Sequence, residues 1–304
     1  MEKNSKQVAF ICPIYDMKNH FELGYNLLKS KVELDIMEDM FFVFSNEEQK
    51  NKFETLTMSL GHINSLVLPD NLQSYKSKIV IKKMYALESL MNEYDYLVLV
   101  DCESIFVKNG DFYNLCQYIW NNRTFLNANK LVGRWRQILC FFELGVLTNS
   151  KMLKEFRCYH YGIWFNEIQV YKCDLLPDFF HWLYQQNNQR WRDEWSCFEM
   201  EMFAAYLIIE KGYHLNRFPQ YKAPCGVIEV LPTLDNSTQL DIISTMNTHW
   251  SSSQIAVNDD TYMLFHLDRE DRSDKRLRWK LSKDFDNSKR RKFFRNLVKR
   301  LLNR

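Results

Sequence analysis

Two acidic residues one position apart, Asp101 and Glu103, directly follow an apolar run at Tyr96–Val100. An apolar run of this length, rich in Leu and Val, predicts a strand buried on both faces, which is typical of parallel sheets. Ligand sites in open α/β sheets lie just beyond the carboxyl ends of such strands. Carboxylate oxygens are the ligands that hard divalent cations prefer, and these cations bind phosphates in turn. The pair therefore indicates a site for a divalent metal ion that holds a phosphate group.

An Asp-x-Glu sequence after a strand also has a simpler explanation. Either carboxylate could cap a helix or face solvent in a turn, because this spacing alone has little specificity. However, Asp101 and Glu103 are the only charged residues between Asp95 and Lys108, so this segment does not resemble a solvated surface. The surrounding sequence therefore favours the metal site.

Strands and helices alternate along the first 110 or so residues, and this order predicts a parallel, Rossmann-like α/β sheet. The glycine-rich phosphate loops of dinucleotide-binding and Walker-type proteins are absent, and the first loop carries Tyr15 and Asp16 instead. The predicted strands are Val8–Ile11, Met40–Phe44, Ser65–Leu68 and Tyr96–Val100, and the predicted helices are Phe21–Lys29, a helix capped at Ser45-Asn46 that runs to about Leu60, and Ile79–Met91.

The second half of the chain has a more mixed pattern. The best helix there is Ser196–Lys211, where Ser196 and Glu199 have the spacing of a capping box and Gly212 follows as the C-cap. The other predicted elements are helices at Asp111–Trp120 and Leu176–Gln185 and strands at Leu139–Leu147 and Thr261–His266.

Composition places the chain among globular proteins, with 304 residues, 46% hydrophobic and 26% charged. The eight cysteines are scattered and include no C-x-x-C pair, so zinc-ribbon and redox motifs are excluded. The start of the chain does not have the pattern of a signal peptide, and we expect a reducing, cytoplasmic environment. The sequence also has no apolar run of about 18 residues, the length that a membrane span requires.

The segment Ile79–Phe106 resembles nucleotide-sugar-dependent glycosyltransferases of the GT-A fold. The resemblance is carried by the helix that begins Lys82-Lys83, by the strand YDYLVLV and by the acidic triplet Asp101-Cys102-Glu103. The triplet is similar to the D-x-D motif of that family, with Glu in place of the second Asp. A later pattern, which includes YGIWFNEI from Tyr161, is similar to bacterial surface-polysaccharide transferases.

This resemblance implies a fold, a donor and a domain organisation. The fold would be a GT-A α/β fold with a mixed sheet flanked by helices. Residues 1–110 would form the half that binds a nucleoside-diphosphate sugar, residues 111–271 the acceptor-binding half of the same domain, and residues 272–304 a basic amphipathic tail. The acceptor would be a capsule or lipooligosaccharide glycan.

The resemblance also implies roles for individual residues. Asp101 and Glu103 would hold Mn²⁺ or Mg²⁺, because these ions prefer oxygen ligands such as carboxylates. Many GT-A enzymes take a third metal ligand from a C-terminal histidine, which His266 would supply here, with His249 as the rival. The donor site would also include Tyr15, Asp16, Lys83 and Asp101, with Tyr15 stacking on the base. Ordinary alternatives are core packing for Tyr15 and the histidines and a helix-surface position for Lys83.

An inverting transfer needs a carboxylate that accepts the proton of the attacking hydroxyl. Asp193 and Glu194 precede the Ser196 helix and are the candidates, with Glu201 inside that helix as a weaker one. Acidic residues also favour helix N-termini for electrostatic reasons alone, so this position has a structural explanation too. Nearby tryptophans could stack on acceptor sugars or belong to the core: Trp135, Trp164, Trp191 and Trp195.

The C-terminal tail is strongly basic. Residues 272–304 hold fourteen Lys or Arg and three Asp, a net charge of +11, and the remainder of the chain carries −9. Within Lys289–Arg304 apolar residues recur every fourth position, which predicts an amphipathic helix lying in a membrane interface. A helix docked on the acidic body and a nucleic-acid-binding segment are the alternatives. We expect attachment to the inner face of the cell membrane, because lipid-linked acceptors are implied by the resemblance.

These observations lead to one main functional hypothesis and two others. The main hypothesis is a metal-dependent glycosyltransferase that modifies a bacterial surface glycan. The first alternative is a catalytically inactive scaffold, docked on a membrane or bound to nucleic acid, built on a degenerate transferase fold. The second is a phosphotransferase that uses the same two carboxylates, which the missing glycine loop disfavours.

Overall fold

A computed structural model describes most of the first 213 residues and two short strands beyond them. The described residues are 6–15, 20–75, 78–102, 104–106, 109–122, 125–128, 131–157, 162–165, 169–192, 197–213, 250–254 and 264–269.

The main sheet has five strands, in the order β3 (Asn64–Val67), β2 (Asp39–Phe44), β1 (Lys6–Pro13), β4 (Tyr94–Leu99) and β8 (Gln169–Lys172). The four strands from the first part of the chain are parallel, and β8 pairs antiparallel with β4. This confirms the predicted fold class, an α/β fold with a mixed sheet flanked by helices.

Eight helices are present in the described part of the chain. They are α1 (His20–Glu33), α2 (Glu47–Thr57), α3 (Lys78–Leu90), α4 (Phe112–Asn122), α5 (Leu131–Glu143), α6 (Ser150–Arg157), α7 (Leu176–Tyr184) and α8 (Glu199–Ile209). Short 3₁₀ segments lie at Met58–Leu60, Asp70–Leu72, Cys173–Leu175 and Asn187–Arg192.

Two smaller sheets complete the described structure. Strands β5 (Ser104–Phe106), β10 (Leu264–Arg269) and β9 (Trp250–Gln254) form one of them, with β5 and β10 antiparallel. Strands β6 (Phe125–Ala128) and β7 (Gly162–Phe165) form the other, also antiparallel. None of β6, β7, β8 and β9 was predicted.

Strand β1 shows why the sheet carries helices on both faces. Ala9 and Ile11 face one side, where they join the core cluster built on α3, α5, α7 and α8. Phe10 faces the other side, where its ring lies 5.0 Å from that of Phe106 and 5.1 Å from that of Phe112 on α4. Because side chains alternate along a strand, an apolar run of this kind is buried on both faces.

Helix α2 begins as predicted. The Asn46 side chain accepts a hydrogen bond from the backbone N–H of Gln49, and the Gln49 side chain accepts one from the backbone N–H of Ser45. The two bonds satisfy donors that the helix itself cannot pair at its first turn.

Two predictions about the second half are wrong. Leu139–Leu147 was predicted as a strand, but its first five residues belong to helix α5 and Gly145 then adopts a positive φ of 75° in the turn that follows. A short apolar run cannot distinguish a buried strand from a buried helix, and here the run belongs to the helix. The capping box is also wrong, because α8 begins after Phe198 and has no side-chain cap.

Helix α8 lies in the middle of the core. Every residue from Glu199 to Ile209 is buried, whereas the sequence predicted one apolar face. A helix that is buried all round packs against neighbours on every side. Its first residue, Glu199, is therefore an acidic group held inside the protein.

The chain divides into two compact units. Residues 1–234 and 252–267 belong to the first unit, which contains the main sheet. Of the residues outside it, the structure describes Trp250, Ser251, Asp268 and Arg269. The predicted amphipathic helix at Lys289–Arg304 lies outside the described residues. Among the helices that are described, none is both long and apolar enough to cross a membrane.

Candidate functional site

Asp101 lies at the carboxyl end of β4, where the sequence predicted a site. The backbone N–H of Val100 donates to the carbonyl of Ile11 on β1, and the backbone N–H of Ser104 donates to the carbonyl of Asp101 itself. The second bond closes a tight turn between β4 and β5. The turn brings the Asp101 side chain partly to the surface, with 37% of it exposed.

The Asp101 carboxylate forms an ion pair with a buried lysine. The Nζ atom of Lys83, on α3, lies 3.2 Å from Oδ1 of Asp101 and 3.0 Å from Oε1 of Glu199 at the start of α8. Only 7% of the Lys83 side chain and 1% of the Glu199 side chain are exposed. Helix α8, from the second half of the chain, therefore meets α3 and the end of β4 at one ammonium group.

The environment keeps Lys83 protonated. Burial alone lowers the pKa of the Lys83 ammonium, because a charged group loses its hydration inside the protein. The carboxylates of Asp101 and Glu199 raise the pKa by more, so it lies above its usual range. The site thus holds a positive charge between two carboxylates. Because only 7% of the Lys83 side chain is exposed, a helix-surface position does not explain this lysine.

The neighbouring Lys82 is buried as well, and its Nζ atom donates a hydrogen bond to the carbonyl of Ile14. Ile14 directly follows β1 and precedes Tyr15, so this bond fixes the start of the first loop. Helix α3 therefore sends one lysine to the end of β1 and the next to the end of β4. Both strand ends belong to the same edge of the parallel part of the sheet.

Helix α1 contacts the acidic triplet from the other side. The Nδ1 atom of His20 lies 3.4 Å from Sγ of Cys102, and both side chains are buried. The rings of His20 and Tyr15 meet edge to face, with centroids 5.1 Å apart. Further along α1, the Ser30 hydroxyl accepts a hydrogen bond from the backbone N–H of Phe106. Two contacts from one helix thus hold the middle of the triplet and the strand that follows it.

His266 lies near the triplet along the backbone. In the antiparallel pairing of β10 with β5, His266 is the partner of Ser104, which directly follows Glu103. The backbone therefore brings His266 to the strand that leaves the acidic triplet. Its role as a metal ligand remains a prediction.

Several predicted site residues lie outside the described part of the chain, namely Asp16, Glu103, Asp193, Glu194 and the rival ligand His249. Glu201 is described and is fully buried on α8, where it contributes to the raised pKa of the Cys140 thiol together with burial, the largest cause, and Cys197. Trp191 is buried in the core, so its ring packs against protein instead of facing an acceptor. Among the described side chains, no cluster of three or more His, Cys, Asp or Glu could hold a metal ion.

Sequence reasoning missed Lys82, His20 and Glu199. One signal was available for Lys82, because it lies three residues after Ile79 and four before Ala86 and so shares an apolar face of α3. For Glu199 the sequence indicated a different role, since its spacing from Ser196 suggested a helix cap. No local pattern indicated that His20 would meet Cys102.

Comparisons with known proteins matched the chain to solved structures only. No protein-family model matches the chain, and no curated protein matches it. Among solved structures, residues 1–349 of S. aureus TarS in complex with UDP match with a TM-score of 0.36 and 13% identity, over 66% of this chain and 55% of that one. A further structure of S. aureus TarS matches with a TM-score of 0.34 and 12% identity, over 66% of this chain and 34% of that one. Similarity at this level establishes neither a shared fold nor a shared activity.

Proposed function

We propose that this protein is a metal-dependent glycosyltransferase that moves a sugar from a nucleoside-diphosphate sugar to a bacterial surface glycan. The observation that carries the proposal is the Lys83 ammonium, buried and 3.2 Å from Asp101 at the carboxyl end of β4. A permanent positive charge beside a partly exposed carboxylate, at the edge where α/β sheets bind ligands, suits a phosphate group and its cation.

The residues around Asp101 fit a divalent cation. Asp101 offers carboxylate oxygens, Glu103 would add a second carboxylate, and the β10–β5 register brings the backbone of His266 opposite Ser104. Oxygen ligands with one imidazole suit Mn²⁺ or Mg²⁺. When bound, the cation would offset the negative charge that develops on the diphosphate as the sugar leaves.

The remaining residues have roles that follow from their positions. Lys83 would donate a hydrogen bond to a diphosphate oxygen, and its buried position keeps competing water away from that bond. Tyr15, with its ring held by His20, would stack on the base, and Asp16 would complete this side of the site. In an inverting reaction Asp193 or Glu194 would accept the proton of the attacking acceptor hydroxyl, whereas Glu201 is fully buried and does not face an acceptor.

The acceptor and the cellular location complete the proposal. The basic segment Lys289–Arg304 would attach the protein to the anionic inner face of the cell membrane, where each Lys or Arg contributes about 1 kcal/mol of binding. A lipid-linked, growing capsule or lipooligosaccharide glycan would then lie within reach of the site.

The test is hydrolysis of a panel of nucleoside-diphosphate sugars with Mn²⁺. We expect Asp101→Ala and Glu103→Ala to reduce the rate by about 100-fold or more, as the loss of electrostatic stabilisation at a leaving group does. The matched control is Glu93→Gln, an exposed carboxylate at the opposite end of β4, which should leave the rate unchanged. Wild-type rates in both site variants would refute the proposed metal site. Absence of any metal-dependent nucleotide binding would favour the inactive scaffold instead.

A further inference from the structure

The two carboxylates that share the Lys83 ammonium differ sharply in their access to solvent. Asp101 is 37% exposed, whereas Glu199 is 1% exposed. A ligand arriving from solvent can therefore reach Asp101 but not Glu199. One carboxylate faces the site, and the other is available only to the lysine.

This asymmetry matters because a lysine and a metal ion would compete for the same carboxylate. If Asp101 were the sole partner of Lys83, a cation that took Asp101 would leave a buried ammonium without a counter-charge. A buried charge that loses its partner is strongly unfavourable. Glu199 lies 3.0 Å from Nζ, so it would keep the ammonium paired if Asp101 turned to a cation.

Among the described residues, the Glu199 carboxylate forms its side-chain hydrogen bond with Lys83. Its second oxygen, Oε2, is buried and has no hydrogen-bond partner among the described residues. The nearby Tyr171 hydroxyl has a pKa raised mainly by burial and then by Glu199, and it too has no hydrogen-bond partner in the described part of the chain. The first turn of α8 adds the positive end of the helix dipole, which stabilises the carboxylate.

We propose that Glu199 is a positioning residue that holds the Lys83 ammonium in place, so that Asp101 can exchange the lysine for a divalent cation and Lys83 can turn to the diphosphate. The inference rests on the proposed function, because it concerns the same metal and donor site. It assigns Glu199 a purpose that neither helix capping nor core packing explains.

An ordinary structural ion pair would behave differently when it is altered. Loss of a purely structural pair would weaken metal and nucleotide binding together, or neither. A positioning role for Glu199 predicts that metal binding falls when Glu199 loses its charge and recovers when the lysine is removed too, because the competitor for Asp101 is then gone.

The experiment compares the wild-type full-length chain with Glu199→Gln and with the double variant Lys83→Met/Glu199→Leu. Mn²⁺ alone is titrated by electron paramagnetic resonance of the free ion, and nucleoside diphosphates are titrated calorimetrically with and without Mn²⁺. The matched control is Glu210→Gln, an exposed carboxylate just past the other end of α8. It has the same charge change as Glu199→Gln.

We expect Glu199→Gln to weaken Mn²⁺ binding about tenfold, since Lys83 then has Asp101 as its remaining counter-charge. The double variant should bind Mn²⁺ at least as tightly as the wild type. It should nevertheless bind nucleoside diphosphate in the presence of Mn²⁺ about tenfold more weakly, because the ammonium is lost. The Glu210→Gln control should match the wild type throughout.

Two results would overturn the inference: unchanged Mn²⁺ binding in Glu199→Gln, or Mn²⁺ binding in the double variant as weak as in Glu199→Gln. If Glu199→Gln does not fold, the double variant decides alone, and its failure to bind Mn²⁺ refutes the inference. Failure of the proposed function has a separate signature. In that case the wild type would bind no nucleoside diphosphate with Mn²⁺, while titration with Mn²⁺ alone would still test Glu199.

Discussion

His20 and Cys102 join two segments that are 82 residues apart, with Nδ1 of the histidine 3.4 Å from Sγ of the cysteine. His20 begins α1, and Cys102 is the middle residue of the acidic triplet. Because the His20 ring also meets Tyr15, a continuous series of contacts connects the first loop with the turn that holds Asp101. The proposed base and diphosphate positions are thus mechanically linked.

The first prediction concerns this link. His20→Phe keeps an aromatic ring against Tyr15 but removes the nitrogen–sulfur contact. We expect the free energy of unfolding to fall by about 1 kcal/mol, as for a typical buried hydrogen bond, and nucleoside-diphosphate affinity to fall several-fold. Urea unfolding and calorimetric titration measure the two effects. His62→Phe, at an exposed histidine, is the control. Unchanged affinity in His20→Phe would mean that the contact does not position the triplet.

The second prediction concerns stability at Lys83. Lys83→Met leaves Glu199 buried without the ammonium 3.0 Å away. We expect a loss of about 3–5 kcal/mol in the free energy of unfolding, because a buried charge without its partner is costly. The double variant Lys83→Met/Glu199→Leu should recover most of this loss, since apolar side chains replace a buried ion pair at little cost. Urea unfolding of the wild type, Lys83→Met, Glu199→Leu and the double variant gives the coupling energy, and simple additivity of the two single losses would contradict the prediction.

The third prediction concerns alkaline pH. Burial, with smaller contributions from Tyr113 and other neighbours, raises the pKa of Tyr96 to about 12. In the unfolded chain a tyrosine titrates near pH 10. The folded state therefore holds this proton more tightly, so its contribution to stability is complete below about pH 10 and is lost as the pH rises towards 12.

Tyr96→Phe tests this directly. The phenyl ring can keep the edge contact with Tyr113, whose ring centroid lies 5.6 Å away, while the titrating hydroxyl is removed. We expect the free energy of unfolding of the variant to fall less steeply than that of the wild type between pH 10 and 12. Urea unfolding at several pH values provides the comparison, with Tyr25→Phe on α1 as control. Parallel slopes would show that Tyr96 does not titrate in this range.

The fourth prediction concerns the basic tail. Deletion of Lys289–Arg304 should strongly reduce binding to vesicles that contain anionic lipid, because it removes the basic cluster that would face their surface. Co-sedimentation with anionic and with purely zwitterionic vesicles, at low and high salt, separates charge attraction from apolar insertion. A second variant changes the lysines and arginines of the tail to glutamine. It keeps the length and the apolar residues of the tail and removes only its charge. Unchanged sedimentation of the truncated protein would refute a membrane role for the tail.

The parallel part of the sheet could be predicted from the sequence. The predicted strand Tyr96–Val100 and the predicted helix Ile79–Met91 match β4 and α3 to within two residues at each end. Buried strands and amphipathic helices leave local apolar periods, and alternation of the two restricts the possible topologies. The antiparallel strand β8 was not predicted, because it comes from the second half of the chain, outside the regular alternation of strands and helices that predicts a parallel sheet.

The candidate site could be predicted in part. Asp101 was expected at a strand end because that position follows from one local run. Glu199 was expected to cap a helix, and it instead forms an ion pair with Lys83. Both roles are compatible with an acidic residue at the start of a helix, and only the packing of α8 beside α3 distinguishes them.

The sequence by itself determined the order of strands and helices, the mixed α/β class and the place of Asp101 at the end of β4. These follow from residues within a few positions of one another. Tertiary structure alone decided that Asp101 shares one buried ammonium with Glu199. It also decided that His20 contacts both Cys102, in the turn after Asp101, and Tyr15, in the first loop. The contact of Lys83 with Glu199 joins residues 116 positions apart, and that of His20 with Cys102 joins residues 82 positions apart. They exist because burial leaves a charged or polar side chain no water to bind, so it must find whichever partner the packed elements bring within reach.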